Sequence, residues 1–365
     1  MTETILITIS LVCLVASLIP FVPCASGSIR AFDFGRLQVL TLSMVALFAS
    51  LVAEVWLWDD WTTVGIVAIA MAAVAAAVQL FHILPFTPIW PVETVRFEGD
   101  ETTVPTLSLL ACNVKQGNRD YQRVIDLVKE TNPDIAVFME TDKRWADALR
   151  PVLSDYRHLM EQPQENSYGM IFATRFEMED AKVQFLLNEE VPSITGILKL
   201  SSGRKARILA IHPEPPVPAR DTLGRDAEIL VAARVARDET LPIVITGDLN
   251  DVAWSRTTRR FQRLSGLLDP RQGRGLFNSF HAEYPIVRWP LDHIFHSGDF
   301  QLLEIDRKPS VGSDHFPMYY RFALDGNKAK ETPPPPSEED IEDADEAISV
   351  EKNRDRRPAG TDWED

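Results

Sequence analysis

The sequence predicts a layered α/β sandwich preceded by three membrane-spanning helices. Apolar runs rich in β-branched residues alternate with segments of helical periodicity across residues 107–324. Residues 1–90 instead contain three long apolar runs. The sequence shows no internal repeat of about 20–50 residues, which argues against a solenoid. At 365 residues, the chain is also too long for one average domain.

The amino-terminal quarter is predicted to be a membrane anchor, residues 1–90. Its apolar runs extend from Ile5 to Val22, from Val39 to Leu57 and from Val64 to Phe81. Each run is close to the roughly 17–25 residues that a spanning helix needs. A cleaved signal peptide is the alternative for the first run. The residues before that run carry no Lys or Arg, however, and two more runs follow it.

The side of the membrane stays open. The loop after the first run carries Arg30 and Arg36, whereas the next loop, 58–61, is acidic and has Trp58 and Trp61 at its ends. The positive-inside rule then places the first loop and the carboxy-terminal domain in the cytoplasm, and the tryptophans fit the aromatic belt of a membrane. Cys112 is the single cysteine of the soluble domain and cannot form an internal disulfide, so either redox compartment is compatible. We expect an integral protein of the cell (inner) membrane.

Residues 97–324 are predicted to form one large domain, since this length is ample for a sizeable core. The predicted strands are 107–114, 134–140, 169–174, 194–200, 206–212, 242–247, 293–297 and 318–322. The predicted helices are 119–131, 219–238 and one that begins at Ser255. Adjacent strands mixed with crossover helices are typical of a layered sandwich.

The carboxy-terminal segment, residues 325–365, is predicted to be a disordered acidic tail rich in proline. It contains Pro333 to Pro336, 14 acidic residues and 6 basic residues, so its net charge of −8 is half of the chain's −16. A segment with so few large apolar residues cannot bury enough surface to offset its ordering entropy.

Polar side chains end five of the apolar runs in the soluble domain. Loops gather at strand ends, where an α/β scaffold assembles a site from distant parts of the sequence. The set comprises Asn113, Glu140, His212, Asp248, Asn250, Asp292, Asp314 and His315. Carboxylate and amide oxygens suit a hard divalent cation, Mg²⁺ first and Mn²⁺ as the alternative. The pattern therefore predicts a metal site that hydrolyses a phosphate ester.

These motifs resemble the endonuclease/exonuclease/phosphatase superfamily, which includes DNase I, abasic-site nucleases, sphingomyelinases and inositol polyphosphate phosphatases. The resemblance covers residues 107–324 and rests on CNVKQGN, FMET, AIHPEPP, GDLN and SDH in the family's order. It implies a four-layered α/β sandwich of the DNase I type and a metal-dependent phosphoric ester hydrolase, here in a membrane-anchored, bacterial-type member. The chain departs from the family at Thr174, where Ser is frequent, and at Phe176, where Pro is common.

The resemblance also implies a role for each motif residue. Metal binding is implied for Asn113, Glu140 and Asp314, and catalysis for His212, Asp248, Asn250, Asp292 and His315. The identity of the general base is left open between two residues. Asp248, positioned by Asn250, and His315, oriented by Asp292, both suit that role. His212 would donate to a non-bridging oxygen in the transition state. Taken singly, such residues are commonly turns, caps or structural groups.

The substrate is predicted less closely than the chemistry. An anchor raises the effective concentration of membrane-bound substrates, and anchored relatives are linked to isoprenoid-lipid pyrophosphates. A phospholipid, an isoprenoid-lipid phosphate or a small phosphoester is therefore the leading hypothesis. A nuclease is the alternative, although a pI near 4.9 argues against an extended nucleic-acid surface. An inactive membrane scaffold is the third hypothesis.

Two further sets of residues are candidates for substrate contact. Arginines downstream of the GDLN motif either line the cleft or form a solvated helix face, and they are Arg256, Arg259, Arg260, Arg263, Arg271 and Arg274. Residues that flank the motifs and could touch a leaving group are Asn166, Tyr168, Arg225, Trp254 and Trp289. Tyr168 and Trp289 are equally compatible with a place in the core.

Overall fold

The structure is a computed structural model that describes residues 2–57, 61–201, 203–326 and 333–361. Most of the tryptophan-flanked acidic loop, residues 58–60, lies outside the described residues. The prediction that Trp58 belongs to an aromatic belt therefore concerns a position that the structure does not describe.

The amino-terminal part is helical. It contains α1 (Thr2–Leu18), α2 (Gly27–Phe34), α3 (Arg36–Val52) and α4 (Thr63–Ile83). Three helical stretches are long and apolar enough to cross a membrane, namely Thr2–Phe21, Arg36–Trp56 and Thr63–Phe86. They match the three predicted runs. No sequence pattern predicts the short helix α2, which connects the first two stretches.

The rest of the described chain alternates strands and helices. The strands are β1 (Thr106–Asn113), β2 (Ile135–Met139), β3 (His158–Gln162), β4 (Met170–Thr174), β5 (Glu177–Phe185), β6 (Pro192–Lys199), β7 (Lys205–Ala210), β8 (Ile243–Asp248), β9 (Asp292–His296), β10 (Phe300–Arg307) and β11 (Met318–Leu324). The helices are α5 (Tyr121–Thr131), α6 (Lys143–Leu149), α7 (Leu223–Asp238), α8 (Arg256–Ser265) and α9 (Glu338–Lys352).

The strands form two mixed sheets that pack face to face. One sheet has the order β10-β11-β1-β2-β4-β3 and the other has the order β5-β6-β7-β8-β9. Within them, β1 pairs with β2 and β7 with β8 in parallel, and the other pairs are antiparallel. Inward-facing side chains from both sheets, such as Val137, Phe172 and Ile208, share one core.

Helices cover the outer face of each sheet. Val124 of α5 and Trp145 of α6 pack on the first sheet, and Ile229 of α7 and Phe261 of α8 pack on the second. The order helix, sheet, sheet, helix is the predicted four-layered sandwich of the DNase I type.

Every predicted strand is present, with bounds that differ from the prediction by at most two residues. The strands absent from the prediction are β3, β5 and β10. All five residues of β3 are only partly buried, and β5 is largely exposed along its middle. An edge strand with little burial lacks a run of apolar residues or a clean alternation of apolar and polar residues, so its sequence carries a weak signal.

The prediction of a disordered carboxy-terminal tail is wrong over residues 338–352, which form α9. Ser337 and Asp340 cap its first turn reciprocally. Ala344 and Ile348 lie one turn apart and pack on the core side of α7 and α8. The net charge of the segment suggested disorder, but its carboxylates meet the arginines of α8, so the charge is matched within the fold.

Candidate active site

Strand ends from both sheets meet at one edge of the sandwich and bring distant polar residues together. Asn113 ends β1 and pairs in register with Met139, the residue before Glu140. In the second sheet, Asp248 at the end of β8 pairs directly with Asp292 at the start of β9. Two strand pairs therefore place four of the predicted residues around one cleft.

The backbone at these strand ends has conformations that aim the side chains into the cleft. Glu140 and Asn250 have φ angles of 59° and 52° in the left-handed region, which few non-glycine residues adopt and which is frequent at functional sites. Gly247 has a φ of 146°, and a Cβ atom there would lie 1.8 Å from the carbonyl oxygen of Ile211. Glycine is therefore required before Asp248 because β8 passes so close to the end of β7.

Asn113 holds two carboxylates rather than offering its oxygen to the cleft. Its Nδ2 donates to Oε1 of Glu140 at 2.7 Å and to Oδ2 of Asp248 at 3.0 Å. Its Oδ1 accepts from the backbone N–H of Lys115 at 3.0 Å. Oε2 of Glu140 accepts from the backbone N–H of Gln116 at 3.3 Å. The first strand therefore fixes the orientation of Glu140.

A chain of three side chains crosses the floor of the cleft. Nδ1 of His315 lies 2.7 Å from Oδ2 of Asp292, and Nε2 of His315 lies 3.4 Å from Oδ2 of Asp248. Oδ1 of Asp248 accepts from the backbone N–H of Asn250 at 2.9 Å. The side-chain amide of Asn250 lies 3.3 Å from Nε2 of His212, which is itself 3.9 Å from Asp248. Asp248 thus lies between the two histidines.

Burial and neighbouring charges shift the pKa values of this group. Burial raises the pKa of Asp248 to about 7, although His315 opposes the shift. Burial alone would lower the pKa of His315, but the carboxylates of Asp292 and Asp248 outweigh it and raise that pKa to about 10. Burial lowers the pKa of His212 to about 4 and raises that of Glu140. Such perturbed groups around one cleft are characteristic of a functional site.

Asp314 lies at the rim of the same cleft. Its carboxylate is 3.3 Å from Nζ of Lys115, which also lines the cleft. Lys115 stands within the CNVKQGN run but is not among the predicted site residues. Its place two residues after the strand-end Asn113 is the sequence feature that could have identified it.

The cleft has a volume of about 750 Å³. Of the predicted set, Glu140, His212, Asn250, Asp314 and His315 line it. Asn113, Asp248 and Asp292 are buried behind them, each with about 1% of its surface exposed. All eight predicted residues therefore belong to one constellation, with five at the surface of the cleft and three beneath it.

The residues predicted to touch a leaving group divide into two sets. Tyr168 and Trp289 line the cleft. Arg225 is buried in an ion pair with Asp226, and Trp254 is buried with its Nε1 donating to the carbonyl oxygen of Asp33. Asn166 caps its own loop by accepting from the backbone N–H of Tyr168.

Both interpretations of the arginine cluster are wrong for the residues of α8. Arg260 and Arg263 pair with Asp340 of α9 at 3.1 Å and 2.7 Å, and Arg256 pairs with Asp343 at 3.0 Å. Arg271 is fully buried against Asp269. None of the six arginines lines the cleft in the described part of the chain, so the cluster serves tertiary structure.

Two segments far from the motifs also line the cleft. One is α2 with the residues after it, which contribute Ala31, Phe34 and Gln38. The other is the end of the carboxy-terminal segment, which contributes Ala359 and Gly360. No local sequence pattern marks these residues, because long-range packing alone brings them to the site.

The donor set fits a divalent cation. Ligand atoms of Glu140, His212 and Asp248 all lie within 4.8 Å of one another. The half-buried carboxylate of Glu140 also faces the negative charge of Asp314, which adds to the rise of its pKa. A divalent cation would offset this concentration of negative charge, and carboxylate oxygens are the ligands that Mg²⁺ and Mn²⁺ prefer.

Comparisons with known proteins agree with this geometry. The sequence model of the Endonuclease/Exonuclease/phosphatase family matches residues 110–315. Among solved structures, the human Nocturnin catalytic domain with bound sulfate anion is 16% identical, with a TM-score of 0.50 over 64% of this chain and 97% of that chain. A D. rerio TDP2 humanized by 14 mutations is 16% identical, with a TM-score of 0.49 over 60% and 98%.

A third solved structure is a family protein from Bacteroides thetaiotaomicron. It is 18% identical, with a TM-score of 0.47 over 61% of this chain and 99% of that chain. Among curated proteins, none matches this sequence at a significant level. The Nocturnin structure, with its TM-score of 0.50, indicates the fold, and the match to the sequence model indicates the family.

Proposed function

Because the chain belongs to the endonuclease/exonuclease/phosphatase family and is thus a metal-dependent phosphoric ester hydrolase, we propose that it is anchored in a membrane and hydrolyses a phosphorylated lipid. One observation carries this proposal. The cleft that holds the catalytic groups is walled on one side by α2, which connects two helices long enough to cross a membrane.

In the proposed reaction, a water oxygen bonds to phosphorus while the bridging P–O bond breaks. Asp248 accepts the proton of the attacking water, since its position between His212 and His315 supports that role. Asp292 keeps the ring of His315 in place by accepting from Nδ1. His212 and Asn250 lie on the other side of Asp248 and donate to non-bridging oxygens. As the bridging P–O bond breaks, the departing oxygen takes a proton from bulk water, and Asp248 then returns its own proton to solvent.

The metal site is proposed to use Glu140 and Asp314, with Asn113 orienting Glu140. His212 and Asp248, whose ligand atoms also lie within 4.8 Å of those of Glu140, keep the catalytic roles given above. A bound Mg²⁺ neutralises phosphate charge and acts as a Lewis acid. Mg²⁺ usually keeps several waters and takes one or two protein carboxylates, so this small set suffices. Mn²⁺ is compatible with the same ligands.

The domain organisation that we propose is an anchor at 1–90 and a catalytic domain at 97–324, with α9 attached to the catalytic domain. The contacts of the first loop support a position on the same side of the membrane as that domain, since the backbone N–H of Gly27 donates to Arg220 and that of Thr222 donates to Ala25. Arg36 forms a buried ion pair with Asp33. Arg36 therefore has a structural role, and we propose the cell (inner) membrane without assigning a side.

The proposal is tested with the full chain in detergent micelles. Phosphate release from an isoprenoid diphosphate would be compared with cleavage of plasmid DNA, each with Mg²⁺, with Mn²⁺ and with a chelator. We expect metal-dependent hydrolysis of the lipid diphosphate. Cleavage of DNA without hydrolysis of any phosphorylated lipid would replace this proposal with a nuclease, and neither activity from a folded chain would favour the inactive scaffold.

A further inference from the structure

The lining of the cleft contains a polar and an apolar set of residues, here called the polar half and the apolar half. The polar half contains the charged and polar groups, including Glu140, His212 and His315. The apolar half is lined by apolar side chains, which are Ala31, Phe34, Phe280, Val287, Trp289 and Leu291. Phe34, Phe280, Trp289 and Leu291 of the apolar half belong to one apolar cluster, which meets the polar half where Phe280 packs against His315. Apolar side chains cannot bind a phosphate, because phosphate oxygens require hydrogen-bond donors or cations. The apolar half therefore fits another part of the substrate.

The apolar half depends on the segment between the first two candidate membrane spans. Helix α2 is held on the catalytic domain by Ser28, whose Oγ donates to the carbonyl oxygen of Pro218 at 2.7 Å, and by the bond from Trp254 to Asp33. A Cβ atom at Gly27 would lie 2.2 Å from the carbonyl oxygen of Val217. Such close backbone contact fixes α2 against the catalytic domain, so α2 is part of the wall of the cleft and not a flexible linker.

The apolar half continues to the end of a candidate span. Phe34 packs edge-on against Trp289, with ring centroids 5.5 Å apart. The next helix, α3, begins at Arg36, and Nε2 of Gln38 donates to the carbonyl oxygen of Ile286 at 2.6 Å. The loop that contains Ile286 therefore lies at the end of α3. Ile286 is 79% exposed and Tyr284 is 57% exposed, so this loop presents two large side chains beside the start of α3.

We propose that this half of the cleft binds the hydrocarbon chain of the substrate, with Phe34, Val287 and Trp289 as the residues that determine specificity. The inference rests on the proposed function and adds to it that the anchor completes the substrate site. A lipid phosphate enters sideways past the Ile286 loop, its chain lies along α2, and its phosphate reaches the polar half.

Chain-length preference tests this assignment. The full chain in detergent micelles would be assayed with dodecyl diphosphate and butyl diphosphate, which share a headgroup and differ in the chain. We expect kcat/KM to favour the dodecyl substrate by at least about tenfold, because each buried methylene adds to binding. The ratio of the two kcat/KM values is the readout, since a merely structural defect lowers both together.

Phe34→Ala and Val287→Asp are each expected to lower that ratio by about tenfold or more. Ile341→Asp is the matched control, because Ile341 lies on α9 with 38% exposure against 37% for Val287, and its ratio should equal that of the unmodified chain. Equal hydrolysis of both chain lengths, or ratios unaffected by both substitutions, would overturn the inference and leave the proposed function standing. Metal-dependent hydrolysis of neither diphosphate would overturn both.

Discussion

Asp292 touches the reacting groups only through His315. Its Oδ2 accepts from the ring, whereas its Oδ1 is buried without a hydrogen-bond partner among the described residues. A buried carboxylate oxygen left without a partner costs free energy. The arrangement is explained if the charge of Asp292 is needed to orient His315 and to stabilise its protonated form.

Asp292→Asn is expected to lower kcat by about 10²–10⁴-fold, because the amide can present its N–H to His315 and change the ring's orientation and protonation. Steady-state kinetics with the best substrate would measure this effect. The control is Asp306→Asn on β10, where the carboxylate pairs with Lys308 at the surface. A kcat within about twofold of the parent for Asp292→Asn would show that His315 does not depend on this carboxylate.

The residues of the site could be predicted from sequence because each stands at the end of an apolar run. Asn113, Glu140 and Asp248 could be located in this way, and the structure brings them within contact of one another. The roles within the set could not be predicted, because they depend on atoms. The resemblance implies metal binding for Asn113, and that role stays a prediction; in the structure its amide nitrogen donates to the carboxylates of Glu140 and Asp248.

At the scale of elements, the acidic residues of α9 pair with the arginines of α8. Taken alone, the acidic tail predicts a solvated segment. The arginine cluster, taken alone, predicts a phosphate-binding face or a solvated face. In the fold, Asp340 accepts from Arg260 and Arg263, and Arg256 and Arg260 both pair with Asp343. Sequence reasoning missed this because charge complementarity between distant segments leaves no local pattern.

Asp340→Ala is expected to destabilise the chain by about 2–3 kcal/mol, since it removes both a helix cap and hydrogen bonds to two guanidinium groups. Hydrogen bonding to Arg263 holds the pKa of Asp340 below its ordinary value. Its contribution is therefore complete above the ordinary carboxyl pKa of about 4 and is lost as the pH falls below it. Thermal unfolding between pH 3 and pH 7 would measure both effects.

Glu342→Ala is the matched control for that experiment, since Glu342 is an exposed carboxylate of the same helix. It should leave the unfolding temperature nearly unchanged. Equal effects of the two substitutions would mean that α9 is not attached through Asp340.

The segment after α9 is fixed to the rim of the cleft by Arg356. Its guanidinium makes two hydrogen bonds of 2.9 Å to Glu214, which also accepts from the backbone N–H of Ala359. The carbonyl oxygen of Ala359 accepts from the hydroxyl of Tyr168, whose ring packs against that of His212 at 5.8 Å. The end of the chain therefore supports one wall of the site.

Arg356→Ala is expected to release this segment, because it leaves the buried Glu214 without its cation. Limited proteolysis should then cleave the carboxy-terminal segment at least about tenfold faster than in the parent. Arg357→Ala provides the control, since Arg357 is 70% exposed and lies 3.5 Å from Glu190. Identical cleavage rates for the two variants would contradict the role of Arg356.

For the whole molecule, the domain boundary at residue 97 separates segments that the structure joins. Phe86 packs on Trp254 with ring centroids 6.0 Å apart, and α2 lines the cleft. Hydropathy alone predicts the three apolar helices that are long enough to cross a membrane. It could not predict that a short segment between two of them would reach the catalytic groups, because that contact depends on how the two parts pack.

The central claim is that a divalent metal held by Glu140 makes this chain a phosphohydrolase. The most direct measurement is phosphate release from a lipid diphosphate by the full chain during a Mg²⁺ titration, for the parent, for Glu140→Gln and for Glu189→Gln. Glu189 is an exposed carboxylate on a loop, so it controls for the loss of one charge.

We expect the activity of the parent and of Glu189→Gln to rise to a plateau with Mg²⁺ concentration and to be absent in the presence of a chelator. Glu140→Gln should lose at least about 10²-fold in activity at any Mg²⁺ concentration. Turnover that persists in the chelator, or a Glu140→Gln variant with the activity and Mg²⁺ dependence of the parent, would contradict it.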